Sequence, residues 1–389
     1  MSQLAFCMPA GAGHLNPTLA VAAELTKRGH RVTYAAPEFV GDRIRETGAE
    51  LVPYESTWGN VKEPPKFDRT DLGKAMAMNL RETKAVLAQV EGTFPGPPDL
   101  VVHDGPMGWW GRLLAAKWQV PAVVTWPHLV SNDHWKLAQY LPVNTLSPTL
   151  LLAMARTLRL AARYGVPGTS LTDGGGSAAQ LVFLPRAFQF AGDTFDERYH
   201  FVGPALGERA FQGGWTPPAD GRDVVYISFG TAYNDRAGFY RTCVEAFAGT
   251  DLHVVLAHGK QVDPASLGPV PDNVELHEQV PQLDVLRHAK VFVTHAGMGS
   301  TMEALSFGVP LVAVPQMGEQ RANADRIAEL GLGRRLAPED VTPEGIEEAV
   351  TSALGDTGVT ASLARMRREI EEAGGAEAAA DVVEAVLKA

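Results

Sequence analysis

Residues 290–305 read KVFVTHAGMGSTMEAL. An apolar run, KVFVT, is cut off by a histidine and two closely spaced glycines, and a helical pattern starts at once. An apolar run of strand length followed by a glycine turn and a helix start is a βα unit, with the turn at the carboxyl end of the strand. Three phosphate- or acyl-handling turns of this shape are excluded by single positions. A dinucleotide fingerprint requires glycine at 302, where the chain has Met302, and no Gly-Lys-Ser/Thr follows as a phosphate loop demands. Ser300 also lacks the G-x-S-x-G context of a nucleophile elbow. What remains is a run of backbone amides with a hydroxyl at Ser300 and an imidazole at His295, groups that hydrogen-bond phosphate oxygens. A close-packed turn capped by a serine fits the same letters. Glu303, one helical turn on, is placed to accept from a sugar hydroxyl.

Working outward, the same rhythm recurs twice. Apolar runs at 4–9, 31–36, 99–104, 121–126 and 180–185 alternate with helical patterns such as NPTLAVAAELTKRG (16–29) and GWWGRLLAAKWQ (108–119). The stretch FVGPALGERAFQGGWTPPADGRD (201–223) is rich in Gly and Pro, after which runs at 224–230, 251–259, 274–278, 290–297 and 310–316 resume the alternation. Strands alternating with helices predict parallel sheets covered on both faces. The reading is therefore two doubly wound α/β domains facing across a cleft, at 1–206 and 223–372, joined by a linker at 207–222. Residues 373–389 form a last helix, set off by Gly374-Gly375.

A chain of 389 residues, 45% hydrophobic, is too long for one ordinary core, which agrees with two domains. Its net charge of −11, with both signs interspersed, argues against a nucleic-acid surface or an anionic membrane as partner. Cys7 and Cys243 lie far apart and outside any metal or redox motif, as expected of buried thiols in a cytoplasmic protein. The N-terminus lacks the pattern of a signal peptide, and no stretch is long and apolar enough for a membrane span; 151–165 is broken by Arg156, Arg159 and Arg163. No D-x-D and no cluster of ligand spacing occurs, so no metal and no cofactor is expected.

In the first half, PAGAGHLNPTLAVAAEL carries His14 at a strand-to-helix turn. An imidazole at the carboxyl end of the first strand suits a base working near neutral pH. Asp104 ends the run LVVHD and lies within reach of His14 across adjacent strands. A carboxylate bonded to one ring nitrogen fixes the tautomer and stabilises the cation formed at the other. With no serine partner in sight, such a pair points to activation of a hydroxyl that belongs to the substrate. His103 alternates to the opposite face of the strand and is expected to be buried. Glu319 and Gln320 open a helix after the run at 310–316, side by side, where they can read vicinal hydroxyls or merely complement the helix dipole.

Taken together, VPQLDVLRHAKVFVTHAGMGSTMEALSFGVPLVAVPQMGEQRANADRI (280–327), GHLNPTLAVAAELTKRGHRVTYAAP (13–37), DLVVHDG (99–105) and VVYISFGT (224–231) resemble the GT-B fold, family 1 glycosyltransferases. Within them the similarity is greatest to bacterial macrolide and natural-product glucosyltransferases. The resemblance runs through nearly the whole chain and is most specific at 280–327. It implies an N-terminal acceptor domain, a C-terminal donor domain and a last helix that packs back toward the N-terminal domain. It implies a metal-independent, inverting transfer of a hexose, glucose first, from a UDP-sugar, with a TDP-deoxysugar as the alternative donor. His14 is then the base and Asp104 its orienting partner. His295, Gly297, Gly299 and Ser300 hold the diphosphate, Ser228 lies near it, and Glu303 binds the ribose. Val280 and Gln282 flank the base, while Glu319 and Gln320 contact the sugar. Many members place Trp where this chain has Gln279, so stacking on the base is not implied there.

The acceptor is described by class only. Met76, Trp109, Trp126, His128 and Trp135 fall in segments that can line a wide apolar pocket for a macrolide, polyketide or flavonoid hydroxyl, or can be ordinary core. A nucleotide-sugar epimerase or hydrolase, or a non-catalytic nucleotide-sugar-binding protein, shares the donor site; the latter is expected to lack the base or the phosphate turn.

Overall fold

The structure, a computed structural model, describes residues 1–58, 72–141, 147–168, 170–207, 213–230 and 236–389. It divides into two compact units, residues 1–207 with 373–389, and residues 208–372. Of the expected linker, residues 208–212 lie outside the described residues, as does Thr231.

In the first unit the strands are β1 (Gln3–Cys7), β2 (Arg31–Ala36), β3 (Glu50–Pro53), β4 (Leu100–Asp104), β5 (Ala122–Trp126), β6 (Ala179–Val182) and β7 (Tyr199–Phe201). They form one parallel sheet in the order β3-β2-β1-β4-β5-β6-β7. The helices are α1 (Ala12–Lys27), α2 (Gly41–Arg45), α3 (Leu72–Val90), α4 (Trp109–Trp118), α5 (Pro148–Arg163) and α6 (Ser170–Asp173). Alternation along β1 sends Leu4 and Phe6 into one core, with Met8 just after the strand, and Ala5 and Cys7 into another. Both faces are thus covered, as a parallel sheet requires.

The second unit holds β8 (Val224–Ser228), β9 (His253–Ala257), β10 (Val274–His277), β11 (Ala289–Thr294), β12 (Leu311–Ala313) and β13 (Gly333–Arg335). These are again parallel, in the order β10-β9-β8-β11-β12-β13. Its helices are α7 (Ala237–Ala246), α8 (Gln282–His288), α9 (Met298–Ser306), α10 (Gly318–Glu329), α11 (Pro343–Gly355) and α12 (Thr357–Ala373). Val225 and Ile227 of β8 pack with Phe247, Ile346 and Val350 in its main core.

After α12 the chain turns at Gly374 and Gly375, both at positive φ (82° and 56°), into α13 (Gly375–Lys388). The Gly375 N–H bonds the Val202 carbonyl at 2.7 Å. Ala379, Ala380 and Val383 join the core beneath α1. Arg28 bonds Asp381 at 2.5 Å and His30 meets Glu384 at 3.1 Å along that seam.

Each sheet reverses its winding once, between β1 and β4 in the first unit and between β8 and β11 in the second. Ligands of doubly wound sheets bind outside the carboxyl ends of the strands at such a reversal. His14 and Asp104 lie at the first of these places, and Ser228, His295, Gly297, Gly299 and Ser300 at the second.

Candidate functional site

In the first unit the reversal brings the start of α1 beside the end of β4. The helix begins at Ala12 with Gly11 as its N-cap, earlier than the Asn16-Pro17 start expected from sequence, so His14 sits in the first helical turn and not in the preceding loop. Its Nδ1 lies 2.7 Å from Asp104 Oδ2. The other carboxylate oxygen, Oδ1, accepts from the backbone N–H of Met107 at 2.7 Å and of Gly108 at 3.3 Å. Asp104 is wholly buried, whereas the His14 side chain keeps 22% of its surface exposed. An ionised carboxylate only accepts, so Nδ1 carries the proton and Nε2 is the basic nitrogen. The neighbouring His103 faces the other way. It is buried, its Nδ1 donates to the Asp104 carbonyl, and burial lowers its pKa to about 4.

Two glycines make this geometry possible. A side chain at Gly111 would place its Cβ 2.5 Å from the His103 Cβ and 2.6 Å from the Cys7 Cβ, so α4 lies directly on β1 and β4. At Gly108 a Cβ would meet the Asp104 and Cys7 carbonyl oxygens, each at 2.9 Å.

In the second unit β11 ends in Thr294 and α9 starts at Met298, capped by Gly297 without a side-chain bond. The first N–H groups of such a helix have no intrahelical acceptor, and the positive end of its dipole faces outward. No acidic residue occupies its first turn. Ala296 is held at φ 60°, a left-handed conformation that costs a non-glycine residue about 1–2 kcal/mol. The His295 ring is wedged between glycines: a Cβ at Gly297 would come within 2.4 Å of its Nε2, and one at Gly230 within 2.9 Å of its Cε1. Though only partly covered from solvent, the ring has enough protein around it that burial pushes its pKa down to about 4; a hydrogen bond to the Ser228 backbone acts in the opposite sense. The ring is therefore a neutral hydrogen-bonding group at pH 7. Gly299 and Ser300 are partly exposed at the mouth of the turn, and a Cβ at Gly299 would meet only open space.

Gln282, the first residue of α8, does not stand alone. Its Nε2 donates to Glu303 Oε2 at 2.5 Å and to Ser300 Oγ at 3.3 Å, and its Oε1 accepts from the Tyr226 hydroxyl at 3.0 Å. Four side chains from β8, α8 and α9 are thereby joined, and Ser228 lies at the end of the same β8 strand. Val280 is partly exposed just before α8, and Gln279 is exposed. At the start of α10, Glu319 is partly exposed, but Gln320 is buried and its Oε1 accepts the Gln316 backbone N–H at 2.8 Å. That oxygen of Gln320 braces the loop.

The five acceptor-pocket candidates divide. Trp109 belongs to the core under α3 and α4, Trp126 bonds Gln180 at 2.8 Å, and Trp135 stacks on Phe190 with centroids 5.0 Å apart; all three are buried. Met76 and His128 keep part of their surface exposed. Sequence reasoning missed Tyr226, Thr294, Gln316 and Asn323, which act within the fold and lack a motif of their own. A signal existed only for Asn323, which follows Glu319 by four residues and so shares its helical face.

Among the described residues no three His, Cys, Asp or Glu side chains are gathered to hold a metal ion, and no helix is long and apolar enough to cross a membrane.

Comparison with known proteins agrees with this fold. Residues 241–386 match the family of the erythromycin biosynthesis protein CIII-like, C-terminal domain. The chain is 41% identical to the demethyllactenocin mycarosyltransferase of Streptomyces fradiae, over 100% of this chain and 87% of that one. It is 42% identical to the NDP-glycosyltransferase YjiC of Bacillus licheniformis, over 96% and 95% of the two chains. The crystal structure of CalG4, the calicheamicin glycosyltransferase, superposes with a TM-score of 0.86 at 37% identity, over 100% of this chain and 98% of that one. A doubly wound pair of units, a glycine turn at a strand end in one, a His–Asp pair in the other and full-length similarity converge on one conclusion: this chain belongs to the GT-B natural-product glycosyltransferases.

Proposed function

We propose that the protein transfers a hexose from a nucleoside-diphosphate sugar to a hydroxyl of a lipophilic natural product, with inversion and without a metal. The observation that carries the reading is the 2.7 Å bond between His14 and the wholly buried Asp104. In this mechanism His14 Nε2 takes the proton from the acceptor hydroxyl as its oxygen attacks the anomeric carbon. The bond from that carbon to the diphosphate breaks on the opposite face, and the nucleoside diphosphate leaves. Asp104 steadies the imidazolium that forms. The amides at the start of α9, with Ser300 and neutral His295, take up the charge that develops on the leaving diphosphate. Glu303, held by Gln282, accepts from the ribose, and Val280 lies beside the base.

UDP-glucose is the first donor to try, since Glu319 and Gln320 suit a sugar rich in hydroxyls. A TDP-deoxysugar is the second reading. Two observations favour it: Gln320 already gives its oxygen to the Gln316 backbone, and a relative at 41% identity is a mycarosyltransferase. The acceptor class is supported by the relatives, whose names include lactenocin, oleandomycin and calicheamicin compounds.

The test is a mass-spectrometric screen of UDP- and TDP-sugars against a panel of macrolide, polyketide and flavonoid acceptors, with and without chelator. Product that carries the opposite anomeric configuration and forms equally with chelator is expected. His14→Ala is expected to abolish transfer while nucleotide affinity stays within about threefold. Full turnover in that variant removes His14 as the base, and sugar release without any acceptor turns the assignment to a hydrolase.

A further inference from the structure

The turn that meets the diphosphate in the reading above depends on a residue that is strained and buried. Ala296 has φ 60° and no exposed surface. A non-glycine residue stays in that region only where its surroundings hold it there. Two groups do so. The Thr294 hydroxyl accepts the Ala296 N–H at 3.3 Å, and Asn323 Nδ2 donates to the Ala296 carbonyl at 2.9 Å. Asn323 lies on α10, twenty-seven residues away in the chain. It is wholly buried, and the same Nδ2 lies 3.5 Å from Glu319 Oε1. Both neighbours are acceptors, which identifies the atom between them as the nitrogen. The Asn323 oxygen, by contrast, is buried without a hydrogen-bond partner. An unsatisfied buried acceptor is a cost that a leucine of similar size would avoid.

We propose that Asn323 is a positioning residue that locks the left-handed Ala296 peptide, and with it the amides of residues 297–300, in register with Glu319. The inference rests on the donor-binding reading of this turn. Through one amide, the group that orders the diphosphate end of the donor also sets the carboxylate assigned to its sugar. Asn323 itself touches no substrate. Its effect is on the donor alone, and it disappears when the backbone at 296 needs no holding.

The experiment measures binding of UDP and TDP by calorimetry, with steady-state KM for donor and acceptor, on the full chain. Asn323→Asp places an oxygen against two acceptor oxygens, and Asn323→Ser is too short to reach the Ala296 carbonyl. Each is expected to weaken nucleotide binding and raise the donor KM about tenfold, with the acceptor KM changed less than about twofold. Ala296→Gly removes the penalty for positive φ, so combined with either variant it is expected to restore nucleotide affinity to within about threefold of wild type. Should Asn323→Asp fail to fold, the serine variant carries the same expectation. Unchanged nucleotide binding in the folded variants overturns the proposal. So does an equal loss for donor and acceptor that Ala296→Gly does not relieve, which is the behaviour of a merely structural asparagine. If the wild-type protein binds neither UDP nor TDP, the donor reading itself falls, and this inference with it.

Discussion

His14 and Asp104 show how a role arises from placement. Neither letter is unusual, and their separation by 90 positions carries no local pattern. What singles them out is that each stands at the carboxyl end of a strand beside the sheet's reversal, Asp104 as the last residue of β4 and His14 in the first turn of the helix after β1. The Asp104 carboxylate is then committed on both oxygens, to His14 and to two backbone N–H groups. Asp104→Asn is expected to keep the fold and lower kcat by roughly two to four orders of magnitude, because the amide no longer fixes the ring's protonated side. A kcat within tenfold of wild type, in a variant with unaltered melting, rules out the orienting role. At this scale the sequence singled out His14 and Asp104 as candidates, and the structure brings them to 2.7 Å. The sequence was opaque for Tyr226, Gln316 and Asn323, whose partners come from other elements. Nor do the letters EQ tell that the Gln320 side-chain oxygen accepts the Gln316 backbone N–H.

At the scale of elements, the central strands were readable because both of their faces are buried: VVYIS, LVVHD and HVVLA are covered along their whole length. β3, β7 and β13 were not foreseen, and all three are sheet edges. An edge strand pairs on one side only and is part exposed, so short sequences such as YHF and GRR suffice and carry no apolar run. The glycine turns were legible as turns, but not as clearances. Gly111→Ala puts a methyl group into the space between α4 and the Cys7 and His103 side chains, and is expected to cost about 1–3 kcal/mol of stability. Chemical denaturation measures it. Transfer should fall as well, since a displaced α4 carries with it the Met107 and Gly108 amides that hold Asp104. Unchanged stability would mean that helix and sheet can part without loss.

For the molecule as a whole, two histidines packed among protein atoms set an acid limit. His103 and His295 keep their protons off until about pH 4, against an ordinary value of 6.5, through burial in both cases. Between those values the unfolded chain binds protons that the native chain does not, so stability is complete above about pH 6.5 and declines as pH falls toward 4. His103, the more deeply buried, accounts for a loss on the order of 3 kcal/mol across that window. Melting temperatures at pH 7.5, 6 and 4.5 should fall in that order, and His103→Asn should flatten the fall. An unchanged slope in that variant would show that other groups carry it. By itself, the sequence determined that two parallel α/β sheets form and that a glycine turn stands at the end of a strand. Those properties depend on burial patterns and backbone freedom that are local in the chain. Only the tertiary structure decided that His14 meets Asp104, that Gln282 is spent on Glu303, and that Asn323 holds Ala296. It also decided that α13 seats Ala379, Ala380 and Val383 in the first unit's core. Such contacts depend on strand order and helix packing, which bring together residues whose separation in the sequence leaves no periodic trace.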